Sequence, residues 1–283
     1  MDTLKLGGDL PIHRLGYGTM RLVNEGAWGE PNDREAMRNV LRRAVELGVN
    51  FIDTADAYGP FIAEEIIAEA LHPYPAGLVI ATKGGITRQG PAKTGKCGDP
   101  GYLHQCVEMS LRRLKLERID LYQLHRIDPK TPLEESLGKL GELQQAGKIR
   151  HIGLSEVTVE EIEQARKIVS IVSVQNRYNL MERKYEAVLD YCAKNNIAFL
   201  PWYSMNAGKF AKNGGALNDF ATERGITVSQ LSLAWLLQHS PVMVPIPGTS
   251  SIAHLEENMK ADEIKLSSQD LDDLQLIADT QAM

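Results

Sequence analysis

Four polar residues in the first half of the chain carry side chains that could do chemistry together. They are Asp53 and Tyr58 in FIDTADAYG, Lys83 in LVIATKGG and His125 in IDLYQLH, each at or just beyond the end of a short apolar run. A free phenol has a pKa near ~10, too high for a ready acid at neutral pH. A neighbouring ammonium favours the phenolate, so Lys83 is expected to lower the pKa of Tyr58. Asp53 would keep that lysine charged and oriented, and His125 could hydrogen-bond a carbonyl oxygen. Such a set can deliver a proton to an oxygen that gains negative charge as hydride reaches its carbon. No side chain supplies hydride, so a cofactor is required. Singly, each residue has a plainer reading: a loop cap for Asp53, a half-buried aromatic for Tyr58, a satisfied structural histidine for His125. Lys83 is harder to dismiss, because an ammonium at a crowded strand end is costly without a partner. It could also form a Schiff base, which would make the protein a lyase.

The four can meet only if the elements before them bring their ends to one rim. After a small hairpin around Gly7–Gly8, strand-like runs alternate with helical patterns. The strands are expected at 14–20, 50–55, 77–83, 119–125, 149–154, 170–175, 197–204 and 242–248. The helices are expected at 33–47, 63–71, 102–114, 133–146, 159–168, 184–195, 217–223 with 229–239, and 253–260. Eight βα units imply a parallel sheet and a (β/α)8 TIM barrel. A C-terminal extra helix, 268–278, capped by Ser267 or Ser268, falls outside the count. No composition shift divides the chain, so residues 1–283 read as one domain. The competing doubly wound sheet wants G-x-G-x-x-G after its first strand, and Gly16-Tyr-Gly18-Thr-Met-Arg21 lacks the third glycine.

With 283 residues, 43% hydrophobic and 24% charged, the composition is that of a globular α/β protein. The net charge of −6, from 31 basic and 37 acidic residues, argues against a nucleic-acid partner. Cys97, Cys106 and Cys192 show no CxxC spacing, so neither disulfides nor a zinc site is expected. The first residues do not read as a signal peptide, and no apolar run approaches the ~20 residues of a membrane span. A cytoplasmic location without membrane contact is expected.

The segments FIDTADAYG, IATKGG, LYQLHRID, GLSEV, VQNRYN and IPGTSSIAHLEEN, in this order, resemble the aldo-keto reductase superfamily, over about Leu15 to Asn258. The resemblance implies an NAD(P)(H)-dependent reductase on a (β/α)8 barrel, without metal. Tyr58 matches the proton donor of that family, Lys83 and Asp53 the pair that tunes it, and His125 the substrate-orienting histidine. Gly18, Thr19 and Met20, with Asp53, match the nicotinamide side of the cofactor site. Ser155, Glu156 and Gln175 match positions that bond the carboxamide, and Tyr203, or else Trp202, the aromatic that stacks on the ring, with Ser204 beside it. Gly248, Thr249, Ser250, Ser251, His254, Glu257 and Asn258 fall at the adenosine-phosphate end, where a helix start suits an anion.

Three positions depart from the commonest pattern. Gly248 and His254 stand where many members have lysine and arginine, which weakens the case for NADP over NAD. Glu156 stands where many have asparagine. The cofactor expected is NADPH, with NADH admitted. Trp28, Tyr58, His125 and Arg126 are candidate substrate contacts, with the 88–99 and 205–215 segments as further walls; the first is expected to be a mobile lid or a disordered excursion. A small polar or aromatic aldehyde is expected, by similarity to bacterial members that reduce pyridoxal. The rival is a non-catalytic cofactor-binding subunit like the potassium-channel β subunits, disfavoured by the lack of a tail before the barrel. A monomer or weak homo-oligomer is expected.

Overall fold

A computed structural model describes residues 2–205 and 215–281. Two short antiparallel strands, β1 (Thr3–Leu6) and β2 (Leu10–His13), open the chain and turn at the positive-φ Gly7 and Gly8. The main sheet contains β3 (Tyr17–Gly18), β4 (Phe51–Asp53), β5 (Val79–Gly84), β8 (Ile119–Leu124), β9 (Ile149–Ser155), β10 (Ile171–Gln175) and β11 (Ala198–Phe199). These strands lie side by side in chain order, all parallel. A second hairpin, β6 (Ile86–Gly90) and β7 (Lys93–Lys96), follows β5.

The two edges of the main sheet are joined by the 242–247 segment. Phe199 N–H donates to Val242 O and Val244 N–H to Phe199 O, both at 2.8 Å. On the other side, Gly16 N–H donates to Pro245 O at 2.9 Å and Gly18 N–H to Pro247 O at 3.2 Å. The ring of eight is therefore closed, but the eighth position is not a regular strand. Pro245 and Pro247 have no N–H to offer a ladder, so the segment serves mainly through its carbonyls. The expected first strand is likewise cut to two residues.

Helices α1 (Arg34–Glu46), α2 (Ile62–Leu71), α3 (Pro100–Leu114), α4 (Leu133–Gln145), α5 (Val159–Arg166) and α6 (Glu186–Lys194) follow successive strands. After β11 come α7 (Ala216–Glu223) and α8 (Val228–His239), and after the closing segment α9 (Ile252–Met259). Side-chain caps fix several starts, among them Asp33, Asp99, Thr158 and Thr227. The extra helix α10 (Ser268–Gln281) is capped by Ser267, whose Oγ accepts from Asp270 N–H. No helix among the described residues is long and apolar enough to cross a membrane.

Alternation along the strands sorts two cores. Ile52, Ile80, Tyr122, Leu124, Ile152, Leu154 and Val174 point out and pack with the helices. Phe51, Val79, Ala81, Leu121, Leu200, Val244 and Ile246 point in and pack with Leu6, Leu10 and Ile12, so the first hairpin plugs one end of the barrel. The next inward positions are Asp53, two beyond Phe51, Lys83, two beyond Ala81, and Gln123, two beyond Leu121. The apolar filling gives way to polar side chains at the strands' C-terminal ends.

Candidate active site

Lys83 is fully buried, and its ammonium has partners on three sides. Nζ donates to Asp53 Oδ2 at 2.6 Å, to Thr54 O at 2.8 Å and to the Tyr58 hydroxyl at 3.4 Å. The other Asp53 oxygen accepts from Gln175 Nε2 at 2.9 Å and Gln123 Nε2 at 3.0 Å. Gln123 was not anticipated as part of the site; an inward polar residue two before His125 is the signal that could have found it. Gly153 makes room for it, since a Cβ there would lie 3.1 Å from Gln123 Cγ and 2.1 Å from Ser173 Oγ.

Tyr58 is held by the turn between β4 and α2. Thr54 and Asp56 N–H donate to Ala81 and Lys83 carbonyls, Phe61 N–H returns to Asp56 O, and Ala63 N–H to Tyr58 O. Gly59 sits at φ +107°, and a Cβ there would meet Ile62 at 2.6 Å. His125 stands edge-on to Tyr58, ring centroids 6.2 Å apart, with its Nδ1 buried and without a protein partner.

The protonation states follow from burial and charge. Burial opposes the Lys83 ammonium, but Asp53 and Tyr58 outweigh it and the pKa is raised. Burial is the largest single influence on the Tyr58 pKa, and with the Asp53 charge it leaves that pKa raised against the lowering by Lys83 and Arg126. Lys83 does lower the Tyr58 pKa, as expected, but desolvation and the neighbouring carboxylate exceed that pull and leave Tyr58 a neutral phenol. Burial, then the charges of Lys83, Arg126 and Arg88, hold His125 well below the usual imidazole range, so it is neutral.

A cavity of about 1010 Å³ opens over this cluster, with Tyr58, His125, Arg126, Ser155 and Gln175 on its floor and wall. Gly18, Thr19, Met20 and Asp53 border it at the ends of β3 and β4, and Tyr203 and Ser204 beyond β11. Gly248, Thr249 and Ser250, then His254, Glu257 and Asn258 of α9, line its far side. Arg21, Asn218, Thr222 and residues 226–229 also line it and were missed. The Thr227-x-x-Gln230 capping box marks a helix start there and is the signal that could have found the last group.

Three expected contacts lie elsewhere. Glu156, at φ +58°, turns its carboxylate behind the wall, where it accepts from Arg177 N–H and Trp202 Nε1, both at 2.6 Å, and Tyr185 Oη at 3.2 Å. Ser251 is the N-cap of α9, its Oγ accepting from His254 N–H, and it does not line the cavity. Trp28 pairs its backbone with Gly59 and lies under the Arg88 guanidinium; Ala27 lines the cavity in its place. Of the 88–99 segment, expected as a mobile lid or a disordered excursion, residues 88–96 belong to the β6–β7 hairpin, which turns at Gly90 and Ala92 with positive φ. Of the 205–215 wall, Met205 lines the cavity and 206–214 lie outside the described residues.

The cavity's own geometry fits an elongated cofactor. Its volume is at the top of the ~300–1,000 Å³ usual for ligand pockets. Two glycines allow the backbone to crowd at its edge: a Cβ on Gly18 would lie 2.6 Å from Ile246 O, and one on Gly248 2.7 Å from Gly18 O. The start of α9, beside Thr249 and Ser250, offers N–H groups to an anion.

Comparison with known proteins agrees with this layout. The aldo/keto reductase family model matches residues 14–279. An uncharacterized oxidoreductase of Schizosaccharomyces pombe is 51% identical over 267 residues, covering 94% of this chain and 87% of the relative. Pyridoxine 4-dehydrogenase of Escherichia coli is 43% identical over 273 residues, covering 94% and 95%. A solved aldo-keto reductase from Klebsiella pneumoniae in complex with NADPH superposes with a TM-score of 0.84 at 27% identity, covering 98% and 95%. With a closed parallel barrel whose polar rim joins Asp53, Lys83, Tyr58 and His125, the chain belongs to the aldo/keto reductase family of NAD(P)H-dependent oxidoreductases.

Proposed function

We propose that the protein reduces a small aldehyde or ketone to the alcohol with NADPH, with Tyr58 as proton donor. The observation that carries this reading is the hydrogen-bonded chain Asp53–Lys83–Tyr58, which ends in the cavity beside a neutral His125. The nicotinamide, when bound, supplies the hydride that reaches the carbonyl carbon. As the C=O π bond breaks, its oxygen gains charge, and Tyr58 donates a proton to it. Lys83 stabilises the phenolate that remains, and Asp53 holds Lys83 in place. His125 donates a hydrogen bond to the carbonyl oxygen and so aims the carbonyl at Tyr58.

Gly18, Thr19, Met20, Ser155, Gln175, Tyr203 and Ser204 are the residues we assign to the nicotinamide end, and Gly248, Thr249, Ser250, His254, Glu257 and Asn258 to the phosphate end. Preference for NADPH over NADH is supported by the neighbour solved with NADPH and by the Arg21 cation on the cavity wall. Pyridoxal is the leading substrate, supported by the E. coli relative's name.

The test follows NADPH and NADH oxidation with pyridoxal and a set of simple aldehydes. Pyridoxal among the poorest substrates would remove it from consideration. Tyr58→Phe should lose at least ~10²-fold in kcat while still binding NADPH, as read by quenching of protein fluorescence. A near-normal rate in that variant would refute the acid assignment.

A further inference from the structure

We propose that the substrate end of the cavity is built for a carbonyl compound that carries an anionic group, which Arg126 holds with help from Arg88. The proposal rests on the reductase reading above and narrows its substrate class.

Arg126 directly follows His125 at the end of β8 and lines the same cavity. Its Nη1 donates to His125 O at 2.5 Å and to Ser155 Oγ at 2.9 Å, and no carboxylate lies within ion-pair distance among the described residues. Arg88 reaches the cavity from the β6–β7 hairpin. Ile86 and Arg88, two apart, and Thr94, the cross-strand partner of Arg88, form one face of that hairpin and line the cavity together. Arg88 Nη2 donates to the carbonyls of Gly26 and Ala27, and its buried Nε has no partner. It too makes no ion pair among the described residues.

The acids nearby are already committed. Asp53 serves Lys83, Gln123 and Gln175. Glu156 attracts Arg126 at longer range, yet its oxygens are taken by Arg177 N–H, Trp202 and Tyr185. With Asp53 paired to Lys83, His125 neutral and Glu156 acting on Arg126 only at longer range, neither guanidinium has a carboxylate in direct contact at this end among the described residues. Leaving such charges in a partly enclosed cavity costs stability unless an anion arrives to meet them. A guanidinium is planar and matches carboxylate or phosphate oxygens two at a time. Arg126 lines the same cavity as Tyr58 and His125 and its charge acts on both, so the anion is expected within one small substrate's length of the carbonyl, as in a short semialdehyde.

The experiment compares kcat/KM for pairs that differ in charge: succinic semialdehyde against butanal, 4-carboxybenzaldehyde against 4-methylbenzaldehyde, and pyridoxal 5′-phosphate against pyridoxal. The first two pairs report on a carboxylate and the third on a phosphate. The anionic member of at least one pair should win by about tenfold or more at low salt, and the advantage should shrink as salt is added. Arg126→Met should bring that ratio close to one, Arg88→Met should reduce it, and Arg126→Lys should restore part of it by keeping a point charge. The salt dependence of the wild type tests the idea even where a variant folds poorly. If neutral aldehydes are reduced but no anionic partner is preferred, the proposal fails and the reductase reading stands. If Arg126→Met keeps the full ratio, Arg126 is not the holder. No turnover of any compound removes both.

Discussion

At the scale of single residues, the site depends on one buried cation. Lys83 is fully enclosed, and its three donors go to Asp53, Thr54 and Tyr58. Lys83→Met would leave the Asp53 carboxylate buried with only amide donors, which costs about 3–5 kcal/mol when a buried pair is broken. It should therefore lower the midpoint of urea unfolding and kcat together, whereas Tyr58→Phe should lower kcat alone. A Lys83→Met protein as stable as the wild type would show that the pair does not hold the rim together. Asp53, Lys83 and His125 were legible in the sequence because a strand end fixes where an inward residue must point, whereas Tyr58, in the turn after β4, was legible from the FIDTADAYG segment. Glu156, Ser251 and Trp28 lie next to such ends in sequence, but neighbourhood does not give direction. A positive φ turns Glu156 away, a capping bond occupies Ser251, and the loop backbone anchors Trp28.

At the scale of elements, the turn from β4 into α2 is the piece that delivers Tyr58, and it contains a buried acid the chemistry does not use. Asp56 is 2% exposed, and one of its oxygens has no partner. Burial, then the charge of Glu64, pushes its pKa up to about 7, against smaller opposing effects of Cys106 and Arg113. The folded state thus holds a proton that the unfolded chain, with a carboxyl near ~3.9, releases. Its contribution to stability is present in full below that unfolded value and is lost as pH rises through about 7. Asp56→Asn removes the titration at nearly constant shape, so it should gain relative to wild type between pH 5 and pH 8 in urea unfolding. Equal pH slopes in the two proteins would disprove it. The helices were legible within a few residues, since caps and apolar stripes are local. The 86–96 hairpin was not, because its glycines, proline and lysines hid the pairing that the Gly90–Ala92 turn creates.

At the scale of the whole molecule, the eightfold rhythm of the sequence foretold a barrel, but not how it closes. Closure depends on contacts between residues more than 200 positions apart, which no local pattern encodes. The prolines that interrupt the last ladder leave fewer N–H donors there, and a buried arginine reinforces the joint. Arg14, 8% exposed and just ahead of β3, donates to the carbonyls of Leu237 and Ser240 at the end of α8, and of Met243 in the closing segment, at 2.6, 2.5 and 3.1 Å. The last carbonyls of a helix have no partner within it, and a cation is well placed to serve them. Arg14→Ala would strand three buried acceptors at once, with a loss of about 3 kcal/mol or more. Arg14→Lys keeps the charge but loses the guanidinium fork that serves these carbonyls from two nitrogens, so it should fall between wild type and Arg14→Ala. Both should retain kcat at low temperature, since the residue lies far from the Tyr58 rim, while thermal unfolding moves down by several degrees. A change no larger than the ~0.5 kcal/mol of an ordinary surface substitution would mean that the backbone bonds of Gly16, Gly18, Phe199 and Val244 close the barrel without it.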